Sequence, residues 1–260
     1  MTPKDFTLVC SFKNRYKNVW DLADSADDYL HNDVRFLFVD GGSDYSELKK
    51  IRSHLLTPEM FDREIKILEC EPNSLVQAWN YGFLHSNTRY IIFASSDVVF
   101  YADGCIEYIM GKIKEGCQYI LVENHAVFCI DRAALPKMGV FDEGFNNGPH
   151  FDCDYMIRAS EAGIKIECGP NAWYNHSDTA EESKQRLGEG IEDRLPMNDL
   201  HNERWFKEKW KSNWPGWENA PNPLNLPHPP TSIGQVNRLL PEVCPYSLFL
   251  TKIEKQYGKD

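Results

Sequence analysis

Apolar runs and helically spaced apolar positions take turns along the first hundred residues. Phe6-Thr7-Leu8-Val9-Cys10 reads as a strand, and Val19, Leu22, Ala23, Ala26, Tyr29 and Leu30 then recur at the spacing of one helix face. A second run, Arg35-Phe-Leu-Phe-Val39, stops at Asp40-Gly-Gly-Ser-Asp44, where Ser43 is the expected N-cap of a helix carrying Leu48, Ile51 and Leu55. Glu64 to Leu68 forms the next strand, and Asn73 is expected to cap a helix bearing Val76, Trp79 and Phe83. A fourth apolar stretch starts at Tyr90. Strand and helix alternating in this way predict an α/β fold: a mostly parallel central sheet flanked by helices on both faces.

The fourth run, Tyr90-Ile-Ile-Phe-Ala-Ser-Ser-Asp-Val-Val-Phe100, is broken at Ser95-Ser96-Asp97 before it turns apolar again. An ionised carboxylate at the end of a core strand needs a hydrogen-bond partner, a counter-charge or a cation. Asp97 therefore either caps the following turn or handles a metal or phosphate. Its neighbours favour the second use, because polar clusters follow three of the four strands: Ser11 to Arg15, Asp40 to Asp44 and Ser95 to Asp97. Ligands of parallel sheets collect at the carboxyl ends of the strands.

Further along, Gln118 to Ile130 reads as one or two strands interrupted at Glu123-Asn-His125, and Asp131 to Met138 as a short helix. A Gly- and Asn-rich loop, 144–150, leads into a helix from about Phe151 to Ala162. Beyond residue 195 the character changes. Trp205, Trp210, Trp214 and Trp217 are followed by a proline-rich stretch between Pro215 and Pro230, the composition of an extended strap without its own core. Apolar periodicity returns near the end, at Val236, Leu239, Leu240, Leu248, Leu250 and Ile253. We expect two parts, 1–210 as the main domain and 211–260 as a strap and terminal segment that docks on the body or on a second copy in a homo-oligomer.

The 260 residues, 42% of them hydrophobic, suffice for a core that needs no staples. A formal net charge of -11 opposes nucleic-acid binding, which draws its affinity from Lys and Arg on phosphates. The eight cysteines show no C-x-x-C pair, the pattern of reduced thiols. No stretch reaches the roughly 18 apolar residues of a membrane span, and the amino terminus carries no apolar leader, so the expectation is a cytoplasmic protein.

With these pieces in order, the chain resembles the family 2 glycosyltransferases of the GT-A fold over roughly residues 6 to 210. The resemblance rests on Phe38-Val-Asp-Gly-Gly-Ser-Asp44, on Trp79-Asn80-Tyr81-Gly82, and on Ile91 to Phe100, which is similar to the family's D-x-D segment. It continues through Gly139-Val-Phe-Asp-Glu-Gly-Phe145 with Phe151-Asp-Cys-Asp-Tyr-Met-Ile-Arg158, then Tyr174-Asn-His176, then Trp205-Phe-Lys-Glu-Lys-Trp210. Any one of these motifs is weak; six in sequence order carry weight.

The resemblance implies transfer of a sugar from a nucleotide-sugar donor, a UDP-sugar, to a hydroxyl on a glycan acceptor, with inversion. Such a reaction needs the leaving diphosphate neutralised, usually by Mn²⁺ or Mg²⁺ on oxygen and imidazole ligands, and a base for the acceptor hydroxyl. Asp97 and His176 are the implied metal ligands, and Asp152 the implied base. Ser11, Arg15, Asp40, Ser95, Ser96 and Asp97 are the implied nucleotide contacts. The plain structural readings are a helix cap for Asp152, ordinary turn chemistry for Asp40-Gly-Gly-Ser and a surface or packed histidine for His176. Asp154 and Arg158, at i and i+4, are read as a supporting ion pair.

Two positions depart from the family pattern: Ser95 replaces the first Asp of D-x-D, and Phe151 replaces the acidic residue before the base. They motivate a rival, an inactive protein that binds nucleotide sugars or glycans. A sugar nucleotidyltransferase is a second rival, but it needs a Gly-rich loop after the first strand, and Cys10-Ser-Phe-Lys-Asn-Arg15 has no glycine.

Overall fold

In the computed structural model, described over residues 1–57, 63–69, 75–122, 124–145, 150–170 and 172–176, the apolar runs become the centre of one sheet. Farther along, Asn202, Glu203, Trp205, Phe206, Lys209, Trp210, Ile253 and residues 255–257 are also described. The order of elements is β1 (Phe6–Phe12), α1 (Tyr16–Tyr29), β2 (Arg35–Asp40), α2 (Tyr45–Leu55), β3 (Ile65–Glu69), α3 (Leu75–His85) and β4 (Tyr90–Ser95). Then come β5 (Val98–Phe100), α4 (Cys105–Lys114), β6 (Tyr119–Val122), β7 (Asn124–Asp131), α5 (Leu135–Met138), α6 (Phe151–Glu161), β8 (Ile166–Gly169) and β9 (Tyr174–His176).

Seven strands form the main sheet in the order β3-β2-β1-β4-β7-β6-β8, while β5 and β9 pair as a separate ribbon. β1 to β4 run parallel, and β7 is antiparallel to both β4 and β6. The sheet is thus the expected mostly parallel one with an antiparallel insertion. Helices cover both faces, so successive residues of a strand alternate between two apolar layers and β1 is buried along its whole length. Leu8, Cys10, Phe36, Phe38 and Ile92 meet α1, α2 and α4. Val9, Leu37, Val39, Ile91 and Phe93 meet α3, α5 and α6.

The α3 motif noted in the sequence is structural. Asn80, fully buried, accepts from the Phe141 N–H at 2.9 Å and donates to the Phe141 carbonyl, also at 2.9 Å. Those bonds tie α3 to the loop before α6. A Cβ on Gly82 would stand 2.5 Å from Val9 Cγ1 and 3.2 Å from the Phe93 ring, so glycine is what lets α3 lie against β1. Alanine gains about 1 kcal/mol of helix propensity, but overpacking a rigid β-branched neighbour costs about 1–3 kcal/mol. Gly82→Ala should therefore lower the urea midpoint; an unchanged midpoint means that α3 can slide off β1.

The capping expectation for Ser43 is off by one residue. Asp44 is the N-cap of α2, because Ser43 is occupied elsewhere: its N–H donates to Asp40 and its Oγ accepts from Asn14. Asn73 lies outside the described residues. Cys10, Cys105, Cys117 and Cys129 are free and buried as expected, whereas Cys168 is free and exposed; Cys70 and Cys244 lie outside the described residues. Residues 211–250, with the expected strap and the boundary at 210, also lie outside them, although Ile253 is buried in the second apolar layer and Tyr257 stands beside Arg89. Among the described residues no helix is long and apolar enough to cross a membrane.

Candidate active site

Three neighbouring strands end side by side. Ser11 on β1 is level with Val39 on β2 and with Ser95 on β4, and Phe12 is level with Asp40. The loops beyond β1 and β2 are joined to each other. The Gly41 N–H donates to the Phe12 carbonyl at 2.7 Å, the Asn14 N–H to Ser43 Oγ at 2.9 Å, and the Asp44 N–H to Asn14 Oδ1 at 2.7 Å. Asn14 sits at φ 52°, a left-handed conformation that Asn tolerates better than most side chains. Asp40 is buried at this junction and accepts the Ser43 N–H at 3.0 Å.

Asp97 follows β4 and is only 8% exposed. What faces it is set by the small ribbon, in which Val98 of β5 pairs with His176 of β9. His176 Nε2 lies 3.2 Å from Asp97 Oδ1, and Arg15 Nη1, reaching over from the β1 loop, lies 3.9 Å from Oδ2. Burial pushes the Asp97 carboxyl upward, but the His176 hydrogen bond and charge, its own backbone N–H and Arg15 outweigh this and hold it below the usual carboxylate range. The group is an anion at neutral pH. Among the described residues no three His, Cys, Asp or Glu side chains gather in a way that could hold a metal ion. Beneath them, burial and then the Asp97 charge push the Cys10 thiol up, which keeps it protonated. Ser96 is buried next to Asp97, and Ser95 is half-buried.

Asp152 stands in the first turn of α6, where free N–H groups and the helix dipole favour an anion. Its Oδ1 accepts the Cys153 N–H at 2.8 Å, and its Oδ2 faces His125 Nδ1 at 3.7 Å. Because β7 is antiparallel to β4, its opening residues, His125 among them, lie at the sheet edge where β4 ends. Asp40, Asp97 and Asp152 therefore lie along one edge of the molecule. The Arg15, Asp97 and His176 side chains meet directly, while Asp152 faces His125 on β7. The Cys153 thiol is pushed up to about 12 by burial and the Asp152 charge, so no thiolate competes beside the carboxylate.

The family model for glycosyl transferase family 2 matches residues 7–181, a span that holds every residue placed above. The chain belongs to glycosyl transferase family 2. Solved structures agree on the fold. The Staphylococcus aureus TarS fragment 1–349 in complex with UDP superposes with a TM-score of 0.56 at 12% identity, over 70% of this chain and 63% of that one. The chain thus spans less than two thirds of that fragment. A Pyrobaculum calidifontis mannosyltransferase, PcManGT, with GDP-Man and Mn²⁺ gives 0.58 at 12% identity over 98% and 81%. Glucosyl-3-phosphoglycerate synthase from Mycobacterium tuberculosis gives 0.50 at 12% over 70% and 75%. No curated protein matches the sequence.

One set of residues in this family 2 chain was not singled out by sequence reasoning as a unit. Asp142 and Asp154 are both buried, and Lys209 Nζ bridges them at 2.5 and 2.6 Å. Asp142 also accepts from the Gly144 N–H at 2.8 Å and from Trp205 Nε1 at 3.1 Å. Asp154 accepts from Trp210 Nε1 at 2.8 Å and from Arg158 Nε at 2.9 Å, and Arg158 also donates to the Met138 and Val140 carbonyls. Two carboxylates thus face two cations. The arrangement clamps the first turn of α6, which carries Asp152, onto the preceding loop and onto the 205–210 segment. The expected Asp154–Arg158 pair is present, but it belongs to this larger unit. The signal available in sequence was Lys209 between two tryptophans, a cation in an aromatic setting.

Proposed function

We propose that this chain moves a sugar from a nucleoside-diphosphate donor of the UDP type to a hydroxyl on a glycan acceptor, with inversion. The observation that carries the reading is the pairing of an ionised, buried Asp97 with His176 and Arg15 at the carboxyl edge of a parallel sheet, with Asp152 farther along the same edge. The TarS and phosphoglycerate synthase structures were solved with UDP and PcManGT with GDP-Man, which supports a nucleoside-diphosphate donor, and the latter two contain Mn²⁺.

Asp40, with Ser11 and Ser95 beside it, borders the nucleotide, and Arg15 and Ser96 lie where the diphosphate emerges. One carboxylate oxygen and one imidazole nitrogen are donors that would suit a divalent ion. Asp97 and His176 would hold Mn²⁺ or Mg²⁺, which would supply neutralising charge for the departing diphosphate. On the other side, Asp152 accepts the proton of the acceptor hydroxyl as that oxygen attacks the anomeric carbon. Four free buried thiols fit a reducing, cytoplasmic setting.

Thermal shift with UDP-sugars and GDP-mannose, with and without Mn²⁺, tests the donor half, because a ligand of the native state raises the melting temperature. The expected result is stabilisation by one UDP-sugar, larger with Mn²⁺ and lost in Asp97→Ala. Equal stabilisation of the variant removes Asp97 from the site. Ser95 in place of a carboxylate, half-buried beside Ser11, favours the second reading of a binding protein without turnover. Catalytic release of UDP rules that reading out.

A further inference from the structure

His125 lies in an irregular part of the sheet. Between Leu121 and Val122 the register of β6 against β7 shifts, so that Leu121 pairs with Phe128 and Val122 with Asn124, leaving residues 125–127 opposite no partner on β6. Bulges of this kind re-aim a side chain, and here the imidazole is turned between two groups. Its Nε2 is hydrogen-bonded to the Tyr119 hydroxyl, and its Nδ1 faces Asp152 Oδ2 at 3.7 Å. Phe128 meets the ring edge-on, and Tyr155 of α6 packs against Tyr119 from the other side.

We propose that His125, fixed by Tyr119, is the positioning residue for Asp152. The inference rests on the reading of Asp152 as the base. The order of protons follows from burial. Tyr119 is fully buried, and its acidity is pushed well below that of an ordinary tyrosine, so it stays a phenol and its O–H donates. Nε2 must then accept, which puts the single proton of the neutral ring on Nδ1, the nitrogen that faces the carboxylate. His125 is neutral at physiological pH, since burial draws its pKa down to about 4 against the opposing pull of Asp152. It therefore brings no charge to the base and acts by direction alone. With Oδ1 held by the Cys153 N–H, an Nδ1–H aimed at Oδ2 fixes the plane of the carboxylate and leaves its remaining lone pairs for the acceptor hydroxyl. At 3.7 Å the contact is longer than a hydrogen bond, and such contacts commonly shorten when substrate is bound.

The test needs no known acceptor. In the full chain labelled with ¹⁵N-histidine, long-range ¹H–¹⁵N correlation should show His125 as the Nδ1–H tautomer, the less common form in free histidine, and Tyr119→Phe should release it to a mixture. An Nε2–H tautomer in the unsubstituted chain overturns the proposal. Kinetics adds a readout that a merely structural role leaves flat. Asparagine places an N–H near the position of Nδ1, whereas glutamine places one near Nε2. In hydrolysis of the nucleotide sugar selected by thermal shift, where water takes the place of the acceptor hydroxyl, His125→Gln should lower kcat by about 100-fold with donor KM within twofold, and His125→Asn should retain most of it. Equal rates in the two variants overturn the inference. Asp152→Asn run alongside separates the cases: if it keeps full turnover, the base itself was misassigned, whereas a dead Asp152→Asn with a flat His125 series sinks only the positioning role.

Discussion

Asp152→Asn should slow transfer by about 10²–10⁴-fold, the usual contribution of a positioned general base, while leaving UDP affinity within a few-fold of the unsubstituted chain. The amide has the shape of the carboxylate and can still accept the Cys153 N–H, so the first turn of α6 should keep its geometry. What it cannot do is take a proton. Donor binding should be spared because the Asp97, His176 and Arg15 side chains meet one another at the end of β4, whereas Asp152 faces His125 of β7. Initial rates of UDP release and calorimetric UDP titration check both halves. Transfer that survives unchanged would move the base elsewhere, and a parallel loss of UDP affinity would mean that Asp152 belongs to the donor half.

Lys209→Met should be the most destabilising single change among those considered. Most of the apolar stem is kept, but two buried carboxylates lose the cation between them, and breaking a buried ion pair by removing one partner costs about 3–5 kcal/mol. The pH dependence gives an independent check. Burial raises the Asp142 carboxyl, yet Lys209, the Gly144 N–H and Arg158 together hold it below its ordinary value. A depressed carboxylate contributes stability that is present above its unfolded pKa, near 3.9 for Asp, and is lost as pH falls through the folded value. The gap in urea midpoint between Lys209→Met and the parent should thus be full at pH 7 and shrink below about pH 4. A gap that does not change with pH would assign the loss to packing of the lysine stem.

How far the chain could be read before folding depends on the range of each interaction. The strands and helices of the first half are written in local periodicity, and the break at Ser95-Ser96-Asp97 is visible because a polar triplet contradicts the apolar run around it. Ser43 was misread as a cap because its partners, Asn14 and Asp40, come from two other turns, and a local rule sees neither. Asn80 and Gly82 were noticed as a motif, but their work, clamping Phe141 and letting α3 approach Val9, is a matter of tertiary distance. His125 lay in a flagged interruption. Its meaning needed the register of β6 on β7 and the arrival of α6 from farther along the chain. Lys209 is the extreme case, since its two carboxylates precede it by more than fifty residues and the one local pattern, Asp154 with Arg158, points away from it.

The ribbon of β5 and β9 has a consequence for how such a protein can diversify. Asp97 and His176 are brought together by three backbone pairings, Val98 with His176, Val99 with Asn175 and Phe100 with Tyr174, and not by the length of what the chain does in between. Between the two halves of this clasp the chain runs from α4 to β8, adding β7, β6 and β8 to the main sheet and placing Asp152 on α6. Insertions in the loops between those elements leave the Asp97–His176 pair untouched, whereas a one-residue slip inside the clasp would turn the imidazole to the opposite face. Variation in loop length is therefore tolerated away from the ribbon and costly within it.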